Sequence, residues 1–353
     1  MNQDIAMKGG GYYSLATVGA KHVIDSAIPM ALEAIGRMPA GAGPFVFADM
    51  GTADGGTSVD LVTAMVEGVR QRWPGRQIAV IHSDQPRNDF NALVATVHGQ
   101  ASIEGVFPLM SATSFYRQIL PSGSLDLGFS ATAMHWLSAK PCDITGHVQA
   151  VGAKGEELAA FARQGKADWD TILLARAREL KRGGRLVLAN FCRDKQGRYL
   201  GHTGGVDMFD SFNEIWREVL AAGEIREDEY QAMTLPQYYK NLAEFTAPLT
   251  DPDHPVHAAG LRLERAETRV VPCPFAAEFA LKGDAAKFAR AYIPTLRSWT
   301  ESTFFAALDP ARPAALRQAI IDRYYESYEA RVRANPVGHG MDYVHAYLTV
   351  VRV

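Results

Sequence analysis

The sequence contains few cysteines, no excess of one charge and no long apolar run. Cys142, Cys192 and Cys273 are too few and too scattered for a disulfide framework, and none belongs to a CxxC pair that would suggest zinc. The 36 basic and 39 acidic residues form no long block of one sign, which gives no support to a nucleic-acid-binding surface. No uncharged stretch reaches membrane-spanning length, and residues 1–11 lack the apolar run of a signal peptide. We therefore expect a cytoplasmic protein without membrane or nucleic-acid partners, and we assign no metal ligands.

The remaining composition is that of a globular protein, with 47% hydrophobic and 21% charged residues. A chain of 353 residues admits one enlarged domain or a core with an inserted cap. From Phe45 onward, short apolar runs alternate with helical patterns, which is typical of an α/β fold with a parallel sheet. The predicted strands are Phe45–Asp49, Gln77–His82, Leu125–Phe129 and Arg185–Phe191. The predicted helices are Lys21–Arg37, Ser58–Arg72, Asp89–His98 and Asp168–Arg182.

The alternation stops after Phe191, which suggests a different role for the following segment. We predict a ligand-binding core over residues 1–192, a helical cap or lid over 193–260, and completion of the sheet over 261–353 with further cap helices at 284–334. The predicted cap helices are Met208–Ala222, Glu227–Glu244, Ala285–Leu308 and Ala314–Arg333. The predicted late strands are Leu261–Val271 and Met341–Val353, and the last of these is rich in β-branched and aromatic residues.

The strongest local signal is the apolar strand that begins at Phe45, ends in Asp49 and leads into the glycine turn 51–56. In an open α/β sheet, ligands bind at the carboxyl ends of the strands, where such a turn allows close backbone approach. A dinucleotide prefers a G-x-G-x-x-G turn, but Ala53 replaces the second glycine and Asp54 would repel a pyrophosphate. The cationic sulfonium of S-adenosylmethionine fits better. The competing interpretation is a turn that only joins a strand to a helix.

A second apolar strand ends in an acid about thirty residues later. Asp84 follows the strand Gln77–His82, and a carboxylate at that strand tip can accept both ribose hydroxyls of a nucleoside. An isolated Asp84 would more often be a surface turn residue. Its position beside the strand that ends in Asp49 favours the binding role.

Several further segments, taken in order, resemble the SABATH family of methyltransferases, which is named for its salicylic acid, benzoic acid and theobromine enzymes. The matching segments are Lys8-Gly9-Gly10, Asp49-Met50-Gly51, Asn88-Asp89-Phe90-Asn91, Ser114-Phe115-Tyr116, His135-Trp136-Leu137-Ser138, Arg182-Gly183-Gly184-Arg185 and Leu235-Pro236-Gln237-Tyr238. The resemblance covers most of the chain. It implies a Rossmann-like class I methyltransferase sheet with an α-helical cap, a frequent homodimer, and methyl transfer to a carboxylate or a purine-type nitrogen.

The resemblance also assigns a group of residues to S-adenosylmethionine. Asp49 and Gly51 would line its methionine side, Asp84 would hold the ribose hydroxyls, and Ser114 and Phe115 would contact the edge and the face of the adenine. The remaining members of this implied group are Lys8, Tyr13, Thr17, Gln85 and Ser130, of which Lys8 would lie near the cofactor carboxylate or the acceptor.

A second implied group binds the methyl acceptor. His135 and Trp136 fall on the acceptor segment, where the family uses the indole N–H of this tryptophan to hold an acceptor oxygen, and both are our candidates for catalytic residues. The remaining members are Lys8, Thr132, Met208, Phe209 and Tyr238. Without the resemblance, each aromatic or methionine of this group would be interpreted as core packing, and His135 as a hydrogen-bonded histidine.

The sequence departs from the family at two acceptor positions. Counted without a gap from the cofactor tyrosine Tyr13, this sequence has Ala20 where family members that methylate salicylate-like acids usually carry a glutamine. Thr132 stands where many plant enzymes have a tyrosine. The resemblance therefore implies a roomier pocket without one arm of the carboxylate clamp, and salicylate is not the expected substrate.

The chemistry favours a carboxylate as the methyl acceptor. A carboxylate with a pKa near ~4.3 is already ionised at neutral pH, so its methylation by in-line displacement needs no base. Methylation of a ring nitrogen or hydroxyl would need a base, and His135 would be the candidate. Two competing functions stay open: a nicotinamide-dependent oxidoreductase, which Ala53 and Asp54 disfavour, and a cofactor-binding homologue without catalysis.

Overall fold

The computed structural model describes residues 17–353. Its eight strands are β1 (Phe45–Met50), β2 (Ile78–Ser83), β3 (Val106–Ser111), β4 (Leu125–Ala131), β5 (Leu180–Arg193), β6 (Lys240–Asn241), β7 (Leu261–Val271) and β8 (Tyr343–Arg352). Seven of them form one sheet in the order β3-β2-β1-β4-β5-β8-β7, and the short β6 pairs with the end of β5. The first five strands of this order are parallel, and β8 runs antiparallel to both of its neighbours.

The central strands are apolar along their whole length because they are covered on both faces. Every residue of β4 is buried, and β1 and β2 each have one residue that is not fully buried. The four strands predicted from the sequence are confirmed, although β5 begins five residues before the predicted Arg185. The two late strands are also confirmed as the edge that completes the sheet.

Strand β3 was not predicted, and its position at the edge of the sheet explains why. Phe107 and Leu109 are 50% and 51% exposed, so the strand lacks the buried apolar run that marks its neighbours. The carbonyls of Gly105 and Ser111 accept hydrogen bonds from the N–H groups of Ile78 and Asp84. Successive residues of a strand direct their backbone groups to opposite sides, so the backbone nitrogen of Pro108 is on the open edge of the sheet. A proline, which has no N–H, is compatible with that edge position.

Helices cover both faces of the sheet. The helices before β6 are α1 (Val18–Asp25), α2 (Ile28–Arg37), α3 (Val59–Arg72), α4 (Phe90–Val97), α5 (Gly155–Glu179), α6 (Met208–Ala221) and α7 (Glu227–Ala232). Those after it are α8 (Leu242–Thr250), α9 (Pro255–Ala258), α10 (Pro274–Lys282), α11 (Ala285–Ala307) and α12 (Ala314–Ala334). Residues of α1, α2 and α3 share one core with β1 and β4, whereas residues of α5 and α8 pack in a second core on the other face.

An aromatic cluster joins the helices that follow the parallel strands. Trp216 of α6 stacks on Tyr324 of α12 with ring centroids 4.2 Å apart, and Phe212 packs against Trp299 and Phe304 of α11 at 5.9 and 6.0 Å. Such pairs add to the stability gained from burial. Among residues 17–353, no helix combines the length and the apolar character needed to cross a membrane.

Three helix predictions were wrong in extent. The predicted helix Lys21–Arg37 is two helices, because Pro29 in the first turn of α2 cannot continue α1. The helix predicted at Asp168–Arg182 begins at Gly155 and ends at Glu179, because Leu180 already pairs with Leu125 of β4.

The third case is the helix predicted over Glu227–Glu244, which ends at Ala232. The residues that follow are extended because Gln237 forms a β-bridge with Trp136 and Pro236 has no N–H to donate within a helix. The helix α10 was not predicted. It contains no buried residue, so no apolar stripe of a core helix marks it in the sequence.

Candidate active site

The turn after β1 is built from backbone conformations that favour glycine. Gly51, Ala53 and Gly55 have φ angles of 80°, 51° and 76°. A Cβ atom on Gly51 would lie 2.5 Å from the Cβ of Ala133, so only glycine fits there. Ala53 has a side chain in this unfavourable region, and its conformation is held by two hydrogen bonds, from its N–H to Asp84 Oδ2 at 2.7 Å and from Asn88 Nδ2 to its carbonyl at 2.7 Å.

Asp49 ties this turn to the end of β1. Its buried Oδ2 accepts hydrogen bonds from Thr52 Oγ1 at 2.9 Å and from Ser58 Oγ at 2.7 Å. Both donors belong to the glycine turn and the first residues after it. The carboxylate therefore fixes the path of the backbone that a ligand would approach.

Asp84 stands at the end of the neighbouring strand β2 and is half-buried. Its burial, reinforced by the negative charge of Asp49, raises the pKa of its carboxyl, while N–H donors from Ala53 and Gln85 oppose the rise. Its Oδ1 accepts the Gln85 N–H at 2.7 Å. The carboxylate is thus held in one orientation and keeps acceptor capacity for a further donor.

Phe115 lies against the same turn. Its ring comes within 3.8 Å of the position that a Cβ on Gly51 would take, and the preceding Ser114 is half-buried. The Ser114 hydroxyl accepts the Tyr116 N–H at 3.4 Å. Ser130 is fully buried in β4 and donates its hydroxyl to the Met50 carbonyl at 2.8 Å, so it joins β4 to β1 beneath the turn.

A cavity of ≈ 30 Å³ lies beside these residues. Its walls come from several distant parts of the chain: Thr17, Ala20, Thr132, His135, Trp136, Phe191, Trp299, Met341 and Tyr343. Thr17, Thr132, His135 and Trp136 were assigned from the sequence to the cofactor or acceptor groups, and the structure brings them together. Ala20 lines this cavity as well, at the position where the resemblance implied a glutamine.

Four of the cavity walls were missed from the sequence. Phe191 ends the predicted strand that became β5, and Tyr343 begins β8, so their places at strand ends were available signals. Trp299 lies in the middle of α11, and Met341 precedes β8. Met341 is the first residue of the predicted late strand, but nothing local in the sequence marks it or Trp299 as a cavity wall.

Thr132 adopts a backbone conformation that is rare for its type. Its φ is 54°, in the left-handed region where a β-branched residue is an outlier. Its N–H donates to the Ala189 carbonyl at 2.9 Å, which fixes the residue at the end of β4. Strain of this kind collects at ligand sites, where surrounding structure holds it in place.

His135 is buried among aromatic rings. Its ring centroid lies 4.7 Å from that of Phe191, 5.5 Å from Trp136 and 5.8 Å from Tyr239. Its Nδ1 has no hydrogen-bond partner within the described part of the chain. Burial, with smaller effects of His345 and Lys240, places the pKa of His135 well below its ordinary value, so the ring is neutral at neutral pH.

Trp136 is held by its main chain on both sides. It forms an antiparallel bridge with Gln237, and the Tyr116 hydroxyl donates to its carbonyl. The neighbouring bonds, Leu137 N–H to the Pro236 carbonyl at 2.8 Å and Tyr238 N–H to the His135 carbonyl at 3.0 Å, continue the same contact. The segment 235–238 therefore positions the two candidate catalytic residues from behind.

Three predicted acceptor residues do not line the cavity. Met208 and Phe209 are buried in the first turn of α6, and the ring of Phe209 packs 6.3 Å from that of the wall residue Trp299. The Tyr238 hydroxyl donates to Glu244 Oε1 at 2.8 Å, and its neighbour Tyr239 is the residue beside His135. The predicted Lys8 and Tyr13 lie outside the described residues.

The donor set of the site is acidic and contains no described metal cluster. Asp49, Asp54 and Asp84 come from the turn and the two strand tips, so this edge of the sheet concentrates carboxyl groups. Across residues 17–353, no group of three or more histidine, cysteine or acidic side chains could hold a metal ion. The three cysteines are unpaired, as predicted from their spacing.

Comparison with known proteins identifies one solved structure that matches nearly the whole chain and curated relatives that match part of it. A solved structure of loganic acid methyltransferase with SAH has a TM-score of 0.79 and 22% identity over 98% of each chain, which establishes the Rossmann-like methyltransferase fold with its helical additions. Methyltransferase LUC1 of Fusarium sp is 31% identical over 206 residues, and indole-3-acetate O-methyltransferase 1 of Arabidopsis thaliana is 27% identical over 230 residues.

These two alignments cover 55% and 57% of this chain, and 54% and 59% of the respective relatives, so each spans little more than half of the curated protein. The family profile described as SAM dependent carboxyl methyltransferase matches residues 3–350. A match over nearly the full chain agrees with the glycine turn, the acidic strand tips and the cavity beside them. The chain therefore belongs to the S-adenosylmethionine-dependent carboxyl methyltransferase family, the SABATH methyltransferases.

Proposed function

We propose that this protein transfers the methyl group of S-adenosylmethionine to the carboxylate of a small organic acid and forms its methyl ester. One contact carries the proposal. Gly51 of the glycine turn approaches Ala133 so closely that no side chain fits between them, and Ala133 lies in the 132–136 segment that supplies three walls of the cavity. The cofactor half of the site and the acceptor half are therefore in direct contact, as a methyl transfer requires.

The residues of the chain fit the cofactor by chemistry and position. Asp84 would hold the ribose hydroxyls, Phe115 the adenine face, and the turn around Gly51 the methionine part. S-adenosylmethionine, when bound, supplies an electrophilic methyl group on a cationic sulfur. These contacts would orient that group towards the cavity.

The acceptor half needs to place a carboxylate oxygen and to exclude water. Trp136 would donate its indole N–H to that oxygen, and Phe191, Trp299 and Tyr343 surround it with apolar surface. With Trp136 holding the carboxylate oxygen, S-adenosylmethionine would supply the methyl group to that oxygen and keep the electron pair of the broken carbon–sulfur bond on its sulfur. No proton moves in this step, so no base is required.

His135 favours an acid over a neutral heterocycle as the acceptor. A ring nitrogen or hydroxyl must lose a proton, and the depressed pKa of His135 makes it a weak base. The neutral imidazole can still donate one hydrogen bond to an anionic acceptor. Two similar proteins carry acids in their names, indole-3-acetate in one and loganic acid in the other.

The test is incubation with methyl-labelled S-adenosylmethionine and a panel of aromatic, indolic, terpenoid and fatty acids, with xanthines as the heterocyclic arm. The proposal expects label in an alkali-labile ester of at least one acid. Label only in a xanthine would replace the carboxylate by a nitrogen acceptor. Calorimetry with S-adenosylhomocysteine and NAD completes the test: tight NAD binding would support an oxidoreductase, and nucleoside binding without transfer would support a binding protein.

Three finer points also belong to this proposal. The resemblance implies a homodimer, which light scattering after size exclusion would test. A cytoplasmic location would be tested by fractionation of the producing cells. The division into a methyltransferase core (1–192), a cap (193–260) and a completing segment (261–353, with cap helices 284–334) would be tested by limited proteolysis with and without S-adenosylhomocysteine.

A further inference from the structure

Residues 114–120 are part of the connection between β3 and β4, and Phe115 lies near the start of this segment. We call it the 114–120 loop. The segment forms no helix or strand, yet it places the ring of Phe115 beside Gly51. The bonds that hold it come from the last turn of α5, from two side chains that the proposed reaction does not use.

Arg176 holds the loop through its carbonyl groups. Its Nη1 donates to the Phe115 carbonyl at 2.9 Å, and its Nη2 donates to the Arg117 carbonyl at 2.7 Å. The guanidinium also forms a bidentate pair with Glu179, with Nε–Oε2 and Nη2–Oε1 distances of 2.6 and 2.7 Å. The side chains of both residues are 0% exposed.

Glu179 holds the loop through its N–H groups. Its Oε1 accepts the Ile119 N–H and, at 3.3 Å, the Leu120 N–H. A carboxylate at the C-terminal end of a helix faces the negative end of the helix dipole, and its burial costs further free energy. A hydrophobic pair of similar size could replace the ion pair itself, but it would leave the carbonyl and N–H groups of the loop without partners. We therefore attribute the presence of this ion pair to its hydrogen bonds with the loop backbone.

The other side of the loop contacts the acceptor half. Tyr116 follows Phe115, with their ring centroids 4.9 Å apart, and its hydroxyl donates to the carbonyl of Trp136. The same loop thus touches the residue proposed for the adenine face and the residue proposed for the acceptor oxygen. A displacement of the loop would move both.

We propose that Arg176 and Glu179 are positioning residues, which set the 114–120 loop and thereby align the nucleoside with the acceptor, and that Tyr116 transmits this alignment to Trp136. This inference rests on the proposed function, because it takes Phe115 as an adenine contact. None of the three residues touches a reacting atom. They act through the geometry of the groups that do, where small displacements cost affinity and rate.

The decisive variant is the double substitution Arg176→Met with Glu179→Leu, which removes the ion pair and keeps the volume. We expect the Kd for S-adenosylhomocysteine to rise at least roughly ten-fold, which corresponds to about 1.4 kcal/mol. The melting temperature should also fall, because four main-chain groups of the loop lose their partners, so the Kd is measured well below the unfolding transition. The control is Arg185→Met with Glu264→Leu. That pair is also bidentate, at 2.9 and 2.8 Å, with side chains 8% and 17% exposed, but it joins β5 to β7. Among the described residues, the Arg185 guanidinium bonds only Glu264 and the Gly183 carbonyl. Its Kd should stay close to the parent value.

Arg176→Lys is the second variant, in case the double variant does not fold. Lysine keeps the charge opposite Glu179 but cannot reach two carbonyls and a carboxylate in one plane. It should show the same loss of nucleoside affinity. A folded Arg176→Lys or double variant that binds S-adenosylhomocysteine as tightly as the parent would overturn the inference. A parent that does not bind S-adenosylhomocysteine would instead refute the proposed function.

The variant Tyr116→Phe tests whether Tyr116 positions Trp136 or only stabilises the fold. In Tyr116→Phe, we expect an unchanged Kd for S-adenosylhomocysteine and a KM for the best panel acid that rises roughly three- to ten-fold, the cost of one hydrogen bond. A structural role alone would alter the melting temperature without this division between the two ligands. Equal KM values for Tyr116→Phe and the parent would remove Tyr116 from the proposal.

Discussion

The proposed nucleoside half of the site, around the glycine turn, and the proposed acceptor half, around the cavity, are built in different ways. The nucleoside half is held by hydrogen bonds between the turn and the end of β2, as between Ala53 and Asp84, and within the segment after β1, as between Asp49 and Ser58. The acceptor half is held by packing of side chains from distant segments, such as Phe191, Trp299 and Tyr343. A half fixed by local hydrogen bonds suits an invariant cofactor, whereas a half made of packed walls can change its shape one wall at a time.

The largest effect should come from the nucleoside half. Asp84→Ala removes a carboxylate that would accept two ribose hydroxyls, and each charge-assisted bond is worth about 1.5–3 kcal/mol, so we expect the Kd for S-adenosylhomocysteine to rise roughly 100-fold or more. Asp84→Asn keeps the volume and should bind with intermediate affinity. Calorimetry provides the measurement. Parent-like binding by Asp84→Ala would show that the β2 tip does not hold the nucleoside.

The corresponding change in the acceptor half is Trp136→Phe. It removes one N–H donor to an anionic oxygen, and kcat/KM for the best panel acid should fall roughly 10- to 100-fold while nucleoside affinity is retained. Trp299→Phe is the control, because Trp299 is an apolar wall and should cost less. The assignment fails if both tryptophan variants lose the same activity.

The packed residues around Phe191 should also make the stability of the protein depend on pH. His345 is fully buried beside Phe191, with ring centroids 4.2 Å apart, and burial lowers its pKa to about 3. Below a pH of about 6.5 the unfolded chain binds a proton at His345 and the folded chain does not. The free energy of unfolding should therefore fall by about 1.4 kcal/mol per pH unit as the pH drops from about 6.5 towards the folded-state pKa. At higher pH this contribution is constant.

Urea titrations at a pH of about 7 and of about 5.5 would measure this dependence, with His345→Phe as the comparison. The variant lacks the titrating group, so its loss of stability on acidification should be smaller by about 1 kcal/mol. His135, whose pKa is also lowered, would still contribute in both proteins. Identical pH dependence in parent and variant would show that His345 is not the source.

The smallest effect should be a change of selectivity. Ala20→Gln puts a larger side chain into the cavity, so kcat/KM should fall for bulky acids relative to small ones by roughly three- to ten-fold, the usual worth of a wall change in an apolar pocket. Nucleoside affinity should not change. Competition between a small and a bulky panel acid measures the ratio, and an unaltered ratio would remove Ala20 from the acceptor walls.

The same contrast explains what could be predicted from the sequence. The turn at Gly51 and the strand tips at Asp49 and Asp84 are short, contiguous patterns, and the structure brings them together as expected. Trp299 and Met341 could not be identified because their role depends on how α11 and the approach to β8 fold back over the sheet. The ring contact with His135 shows the same limit, since one residue of register decides whether Tyr238 or Tyr239 makes it.

Errors in the fold have a similar origin. Burial on both faces marks β1, β2 and β4 in the sequence, but the exposed β3 carries no such mark. The helix predicted up to Glu244 failed because a long-range bridge between Gln237 and Trp136 prevailed over the local helical pattern. In the segment 235–238, which contacts Trp136, tertiary contacts determined the backbone conformation instead of local helix propensity.

The proline in the exposed edge strand has a consequence for how the protein behaves in concentrated solution. An exposed edge strand can pair with a strand of another molecule, and the exposed side chains of Phe107 and Leu109 would stabilise such a contact. Pro108 leaves a gap in the row of donors that an incoming strand would need. Replacing it with valine would repair that row, and we expect purified samples of Pro108→Val to form thioflavin-positive aggregates on storage while fresh samples keep their activity.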